Sequence, residues 1–167
     1  MKEKIIVNQE KYAKFGHLPP NGIKGLCYFK VQEAEKRGIN VSINISKRIE
    51  KSSIYKLSIK DQRDLGKILG VFLDNAIEAS GSSSRKQMGM EFYANKDREF
   101  VMILSNTFDN SINKGKIGKE KFTTKGKDRG HGLLLVNHIV SKNKIFEIST
   151  KISNGIYVQT LKIKKDY

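Results

Sequence analysis

Apolar residues recur along this chain with two different periods, and the switches between them outline its elements. Ile23, Leu26, Cys27, Val31 and Ala34 fall three or four apart, which predicts a helix over about 21–37 stopped by Gly38. "INVSINI" at 39–45 alternates with period two and predicts a strand. Residues 46–60 are mostly polar, with a brief alternation that predicts a loop carrying a short strand. Leu65, Ile68, Leu69, Phe72, Leu73, Ala76 and Ile77 form the strongest helical stripe, with Asp61 as the expected cap, Asp64 as its capping-box partner and "SGSSS" at 80–84 as the stop. "MGMEFYA" at 88–94 and "EFVMILSN" at 99–106 alternate on either side of "NKDR" and predict an antiparallel hairpin. Residues 107–130 have few apolar positions and many Gly and Lys, so they predict a long loop, and such loops in compact domains usually serve function. A helix over 131–142 and strands at 144–151 and 155–163, turning at "SNG", complete the order. Ahead of it all, residues 1–19 read as a polar lead-in ending at the breaker "HLPPNG".

Helices and strands in this order predict an α+β protein. It is a two-layer α/β sandwich whose mixed, mostly antiparallel sheet is covered on one face by about three helices. One domain over 20–167 accounts for the pattern, without internal repeats.

The strongest helix contains an anomaly. "LDNAIEAS" at 73–80 sets Asp74, Asn75 and Glu78 among its best apolar residues. At 100° per residue, Asp74 points away from the stripe. Asn75 falls on its border, with Val71 and Glu78 on the same side. A carboxamide there can offer oxygen to a hard cation such as Mg²⁺, or it can hydrogen-bond a loop carbonyl. The helix alone leaves both roles open.

Composition narrows the classes. The chain of 167 residues is 38% hydrophobic and 29% charged, as a globular domain is. No apolar run nears the roughly 20 residues of a membrane span, and the charged N-terminus does not resemble a signal peptide. One cysteine cannot form an internal disulfide, which fits a reducing, cytoplasmic setting. Cys27 itself reads as a small core residue. The net charge of +15 raises nucleic-acid binding as a possibility. Only six of the 32 basic residues are Arg, however, and the lysines are scattered. A solvated lysine-rich surface is the better reading, with a few lysines free to meet the phosphates of a small ligand, and no nucleic-acid partner is expected.

A second stretch fits such a ligand. In "FTTKGKDRGHGLLLV" at 122–136, Gly126, Gly130 and Gly132 precede a helix beginning near Leu133. Glycines let backbone approach phosphate oxygens, and a helix N-terminus supplies free N–H groups and a positive dipole end. Lys125, Lys127 and Arg129 add charge. A flexible turn before an ordinary helix would look the same. The order of residues is neither a Walker loop nor a Rossmann turn.

Together, about 50 residues apart with a hairpin and a long loop between them, the two stretches resemble the ATP-binding domain of sensor histidine kinases, in the gyrase, heat-shock-90, histidine kinase and MutL ATPase (GHKL) superfamily. "ILGVFLDNAIEAS" looks like that family's Asn box, and "TTKGKDRGHGLLLV" like its second glycine box. "IKGLCYFKVQEAEKRGINVSINI" followed by "DLGKILGVFLDNAIEAS" is most similar to the Agr and competence-type kinases that sense peptide pheromones. The resemblance covers about residues 20–163. It implies the Bergerat-type ATP-binding fold, ATP and Mg²⁺ as ligands, and a lid over 107–129. It makes Asn75 the Mg²⁺ ligand, with Glu78 holding water around the metal. Gly126, Gly130, His131, Gly132 and Leu133 would line the phosphate cradle, and Lys125 and Arg129 would neutralise charge. It also implies a dimerisation and phosphoacceptor segment upstream, a response regulator as onward partner, and a homodimeric, membrane-bound receptor of which this is the cytosolic part.

Three departures from the family pattern matter. Where most members carry Asp-x-Gly-x-Gly, this chain has "LSNTFDN", and Asn106 stands in place of the adenine-binding Asp as a neutral, weaker acceptor. Val71 stands one turn before Asn75, where the hydrolysing branches carry a general-base Glu. That argues against water activation and for phosphoryl transfer. Finally, none of His17, His131 and His138 has the setting of the phosphoacceptor. Binding ATP without phosphotransfer, as a pseudokinase-like interaction module does, is the alternative function.

Overall fold

The structure, a computed structural model, describes residues 9–109 and 131–165. Three helices, α1 (Gly22–Lys36), α2 (Ile59–Ser82) and α3 (His131–Lys142), pack on one face of a five-stranded sheet. The strands are β1 (Asn40–Ile45), β2 (Gln87–Ala94), β3 (Phe100–Thr107), β4 (Phe146–Ser153) and β5 (Ile156–Ile163), in the order β1-β2-β3-β5-β4. Only β1 and β2 pair parallel, because α2 carries the chain between them; every other pairing is antiparallel. This is the α+β two-layer sandwich that the pattern predicts.

Alternation decides which residues face the helices. Val41, Ile43 and Ile45 of β1 lie beside Met88, Met90 and Phe92 of β2, and all six are buried. Phe100, Met102 and Leu104 of β3 and Leu161 and Ile163 of β5 continue that layer. Every residue of the predicted α2 stripe is buried against it. The opposite sheet face carries Asn40, Ser42, Gln87 and Glu91, all exposed, as suits a face without a covering layer among the described residues.

Four local expectations change. The cap of α2 is Ser58, three residues ahead of Asp61. Its Oγ accepts from the Asp61 N–H at 3.1 Å and donates to the Asp61 carboxylate at 2.6 Å. That box draws Ile59 into the helix, and because Ile59 is 71% exposed the apolar stripe carries no trace of it. Residues 46–60 hold two 3₁₀ turns, Lys47–Lys51 and Ser53–Lys56, where a brief strand was expected. The lead-in joins the core through Tyr12, Phe15 and Leu18. Phe15 and Leu18 are 1% exposed, Tyr12 and Phe15 pack on Tyr28 of α1, and Lys14 Nζ donates to the Ile43 carbonyl on the edge of β1. Two isolated apolar residues in a polar segment show no period, so they gave no signal.

The last change concerns the long loop. Thr107 ends β3, and its hydroxyl is bonded to both the N–H and the carbonyl of Gln87. Phe108 is buried and its N–H donates to the Gly155 carbonyl. Asp109 accepts from the Ser84 N–H and hydroxyl. Residues 107–109 are therefore tied down, and the rest of the expected lid lies outside the described residues. Gly155, at φ +70° in the β4–β5 turn, is held by Arg85, whose guanidinium donates to its carbonyl at 2.6 Å; a Cβ there would run into that guanidinium.

Candidate functional site

Helices α2 and α3 run antiparallel, and two contacts fix their register. At one end, Asn143 Nδ2, just past α3, donates to Asp61 Oδ1 at 2.6 Å. At the other, a Cβ added to Gly132 would lie 3.0 Å from Val71 Cγ1. So α3 begins beside Val71, and the remaining half of α2 runs on past it. Asn75 and Glu78 lie one and two turns further along the same side.

That register answers the question raised by "LDNAIEAS". Asn75 stands on the border of a stripe that is buried along its whole length, on the flank where α3 begins only at Val71 and does not extend over it. Asn75 is exposed and makes no side-chain hydrogen bond to a described residue, so the loop-carbonyl role finds no partner among them. Glu78 is half-buried. Asp74 points to the other side, as predicted, and pairs with Lys30 of α1 at 2.6 Å. Lys30 also reaches Glu33 at 2.8 Å. Burial alone would lower the Lys30 pKa, but hydrogen bonds to the two carboxylates outweigh it and raise it.

Asn106 closes β3 on the helix-facing side, across from Met88 and Tyr157. It is buried, and its Nδ2 donates to the Thr107 carbonyl at 3.2 Å. Beside it on β5 are two polar residues that sequence reasoning passed over. Burial pushes the Tyr157 hydroxyl up, partly offset by a hydrogen bond with Thr150. Gln159, 3% exposed, leaves its Oε1 as the one buried side-chain polar atom without a partner among the described residues. Such an atom costs about 1–3 kcal/mol. The available signal was a Gln at an inward position of "IYVQTLKI", between Tyr157 and Leu161.

Of the glycine-rich stretch, His131, Gly132 and Leu133 form the first turn of α3, with His131 exposed and the other two half-buried. Lys125, Gly126, Arg129 and Gly130 lie outside the described residues. Gly132 was expected to leave room for phosphate; the structure shows what it makes room for within the protein, the Val71 side chain. Cys27 is fully buried, and burial alone pushes its thiol up to about 12, which removes it as a nucleophile.

A notch of about 280 Å³ lies near the same end of the sheet, lined by Asn40, Ser42, Gln87, Gly89, Ser105 and Ile156 among others. Most of these point from the uncovered face, so the notch is not the opening beside Asn75.

The chain belongs to the GHKL domain family, whose model matches residues 60–164. Its fold is shared with solved structures at low identity. The catalytic domain of histidine kinase ThkA is 18% identical, with a TM-score of 0.63, covering 84% of this chain and 88% of that one. The mycobacterial sensor histidine kinase MprB is 14% identical, with a TM-score of 0.61, covering 84% and 94%. The Acinetobacter baumannii histidine kinase AdeS is 14% identical, with a TM-score of 0.55, covering 84% and 64%. Full-length ShkA, solved in complex with AMPPNP, is 17% identical, with a TM-score of 0.60, covering 92% and 33%. The chain thus spans less than two thirds of the AdeS chain and one third of ShkA. Comparison with curated proteins returned no match. Among the described residues no helix is long and apolar enough to cross a membrane.

Proposed function

We propose that this GHKL domain is the catalytic domain of a two-component sensor histidine kinase of the Agr and competence type. It would bind ATP with Mg²⁺ and present the γ-phosphate to a histidine on a dimerisation segment outside this chain, for relay to a response regulator. The observation that carries this reading is the close approach of Gly132 to Val71, which sets the first turn of α3 one helical turn from the exposed Asn75.

The residues fit the ligands. The described residues hold no cluster of His, Cys, Asp or Glu able to bind a metal alone. That suits a Mg²⁺ that arrives on phosphates and takes one oxygen from the protein, and Asn75 Oδ1 would supply it. The backbone N–H groups of His131, Gly132 and Leu133, at the start of α3, would meet phosphate oxygens. Lys125, Gly126, Arg129 and Gly130 would complete the cradle, with residues 110–129 as the lid. Glu78 would orient water near the metal, and Asn106 would accept from the base.

The chemistry is in-line transfer. An imidazole nitrogen attacks the γ-phosphorus, a P–N bond forms, the bond to the β,γ-bridging oxygen breaks, and ADP leaves. Val71 supports transfer over hydrolysis, since an isopropyl group cannot take a proton from water. In the full receptor the domain would be cytosolic and paired through the dimerisation segment. The alternative, a pseudokinase-like module that binds nucleotide without transfer, draws on the missing Asp-x-Gly-x-Gly motif, with the neutral Asn106 where the Asp would stand.

Calorimetric titration with a non-hydrolysable ATP analogue, with and without Mg²⁺, tests the site. Saturable Mg²⁺-dependent binding is expected, lost in Asn75→Ala with the thermal midpoint unchanged. Equal affinity in the variant would remove Asn75 from the metal site. Phosphate transfer to an added dimerisation segment separates the kinase from the module.

A further inference from the structure

Gln159 carries the one unexplained buried polar atom among the described residues, and it lies beside the residue proposed to meet the base. Across the β3–β5 ladder, Asn106 pairs with Tyr157 and Leu104 with Gln159. Asn106 and Gln159 are therefore diagonal neighbours on the helix-facing side, roughly 7–8 Å apart at Cα and within reach of long side chains. On its other flank Gln159 pairs with Thr150 of β4, yet it makes no hydrogen bond there. The strand positions that follow on this face, Leu161 and Ile163, are wholly apolar and sealed. A Gln here gives the core nothing that a Leu would not, and it leaves an amide oxygen dry and unpaired.

The two carboxamides point to one complement. Asn106 spends one of its two N–H groups on the Thr107 carbonyl, and its Oδ1 accepts from no described residue. Gln159 leaves Oε1 open. One buried orphan oxygen and a second acceptor on the neighbouring strand suit a donor with two hydrogens. An exocyclic amino group on a planar base is such a donor, and a carbonyl at the same place would face both oxygens unfavourably.

We propose that Gln159 is a second base-reading residue. It would act with Asn106 to accept the exocyclic amino group of adenine, which makes the site selective for 6-aminopurine nucleotides. The proposal rests on the nucleotide-binding reading above. Asn106 is held by its bond to Thr107, whereas nothing described holds the Gln159 amide. Gln159 can thus turn its N–H toward a carbonyl, and discrimination against guanine would be modest.

The test compares a non-hydrolysable ATP analogue with the matching purine-riboside analogue, which lacks only the amino group. Wild-type protein should bind the ATP analogue about five- to tenfold more tightly. In Gln159→Leu the preference should shrink toward what Asn106 alone gives while the thermal midpoint of the free domain rises, since an orphaned buried amide has been replaced by an apolar group of similar size. An unchanged affinity ratio in the folded variant overturns the role of Gln159 while nucleotide binding stands. Absence of binding of either analogue to wild type overturns nucleotide binding itself. Should Gln159→Leu not fold, the side-chain amide signals of Gln159 in wild-type protein decide by NMR. They should move with the ATP analogue and stay still with Mg²⁺ and inorganic triphosphate, and indifference to both analogue and triphosphate overturns the proposal.

Discussion

Between Asp61 and Val71, helix α2 is covered by α3; from Val71 to Ser82, α3 no longer accompanies it. The two halves share one buried stripe and differ on the flank that faces α3. In the covered half, Leu65, Ile68 and Leu69 are at most 1% exposed, and the Asn143–Asp61 hydrogen bond pins the far end. In the second half the stripe stays as buried, at Phe72, Leu73, Ala76 and Ile77, and it is the flank beside Val71 that presents Asn75 and Glu78. Apolar residues there would have left an exposed patch, and a polar pair at the edge of an opening does not. A binding position can thus be made by ending a neighbouring helix early.

The comparison can be broken from either side. In the covered half, Leu65→Ala should cost about 2–5 kcal/mol, since it empties a fully buried site. Urea unfolding would show it, and affinity of the folded fraction for nucleotide should hold. Asn75→Ala in the open half should do the reverse, leaving the urea midpoint within about 0.5 kcal/mol while Mg²⁺-dependent binding is lost. If both variants lose stability equally, the two halves are not distinct.

At the boundary, Gly132→Ala should destabilise by about 1–3 kcal/mol because its methyl would sit 3.0 Å from Val71 Cγ1. Adding Val71→Ala should restore much of that loss. If the pair is simply additive, the contact does not set where α3 begins.

The smallest effect concerns the α1 side of α2. The Glu33 carboxyl is held below the ordinary carboxylate range by its hydrogen bond from Lys30 and by Arg37. A depressed carboxylate contributes stability at neutral pH and loses it as pH falls through its folded value. The difference in urea midpoint between wild type and Glu33→Gln should therefore be present at pH 7 and vanish toward pH 3. A difference that persists at pH 3 would show that packing, not charge, carries it.

Periodicity was enough to find the elements of this fold. Leu65 through Ile77 mark α2, and alternation marks β1 to β5, because burial on one face imposes a period that tertiary context does not alter. The odd position of Asn75 and the glycines before α3 were also visible, since an amide in an apolar stripe and clustered glycines break local rules. The cap of α2 was misplaced because Ser58 and Asp61 both suit a helix start, and only the reciprocal hydrogen bonds decide between them. Phe15 and Leu18 escaped notice because lone apolar residues carry no phase. Gln159 escaped because its inward position looks ordinary until its neighbours fail to satisfy it.

The sequence by itself determined the α+β order, the one-sided sheet and the two polar anomalies, because each is written in spacing along the chain. Only the tertiary structure decided that α3 starts beside Val71, that Asn75 is exposed beyond it, and that Asn106, Tyr157 and Gln159 share one corner of the sheet. Those facts depend on how far one helix extends along another and on strand register, and spacing along a single chain encodes neither.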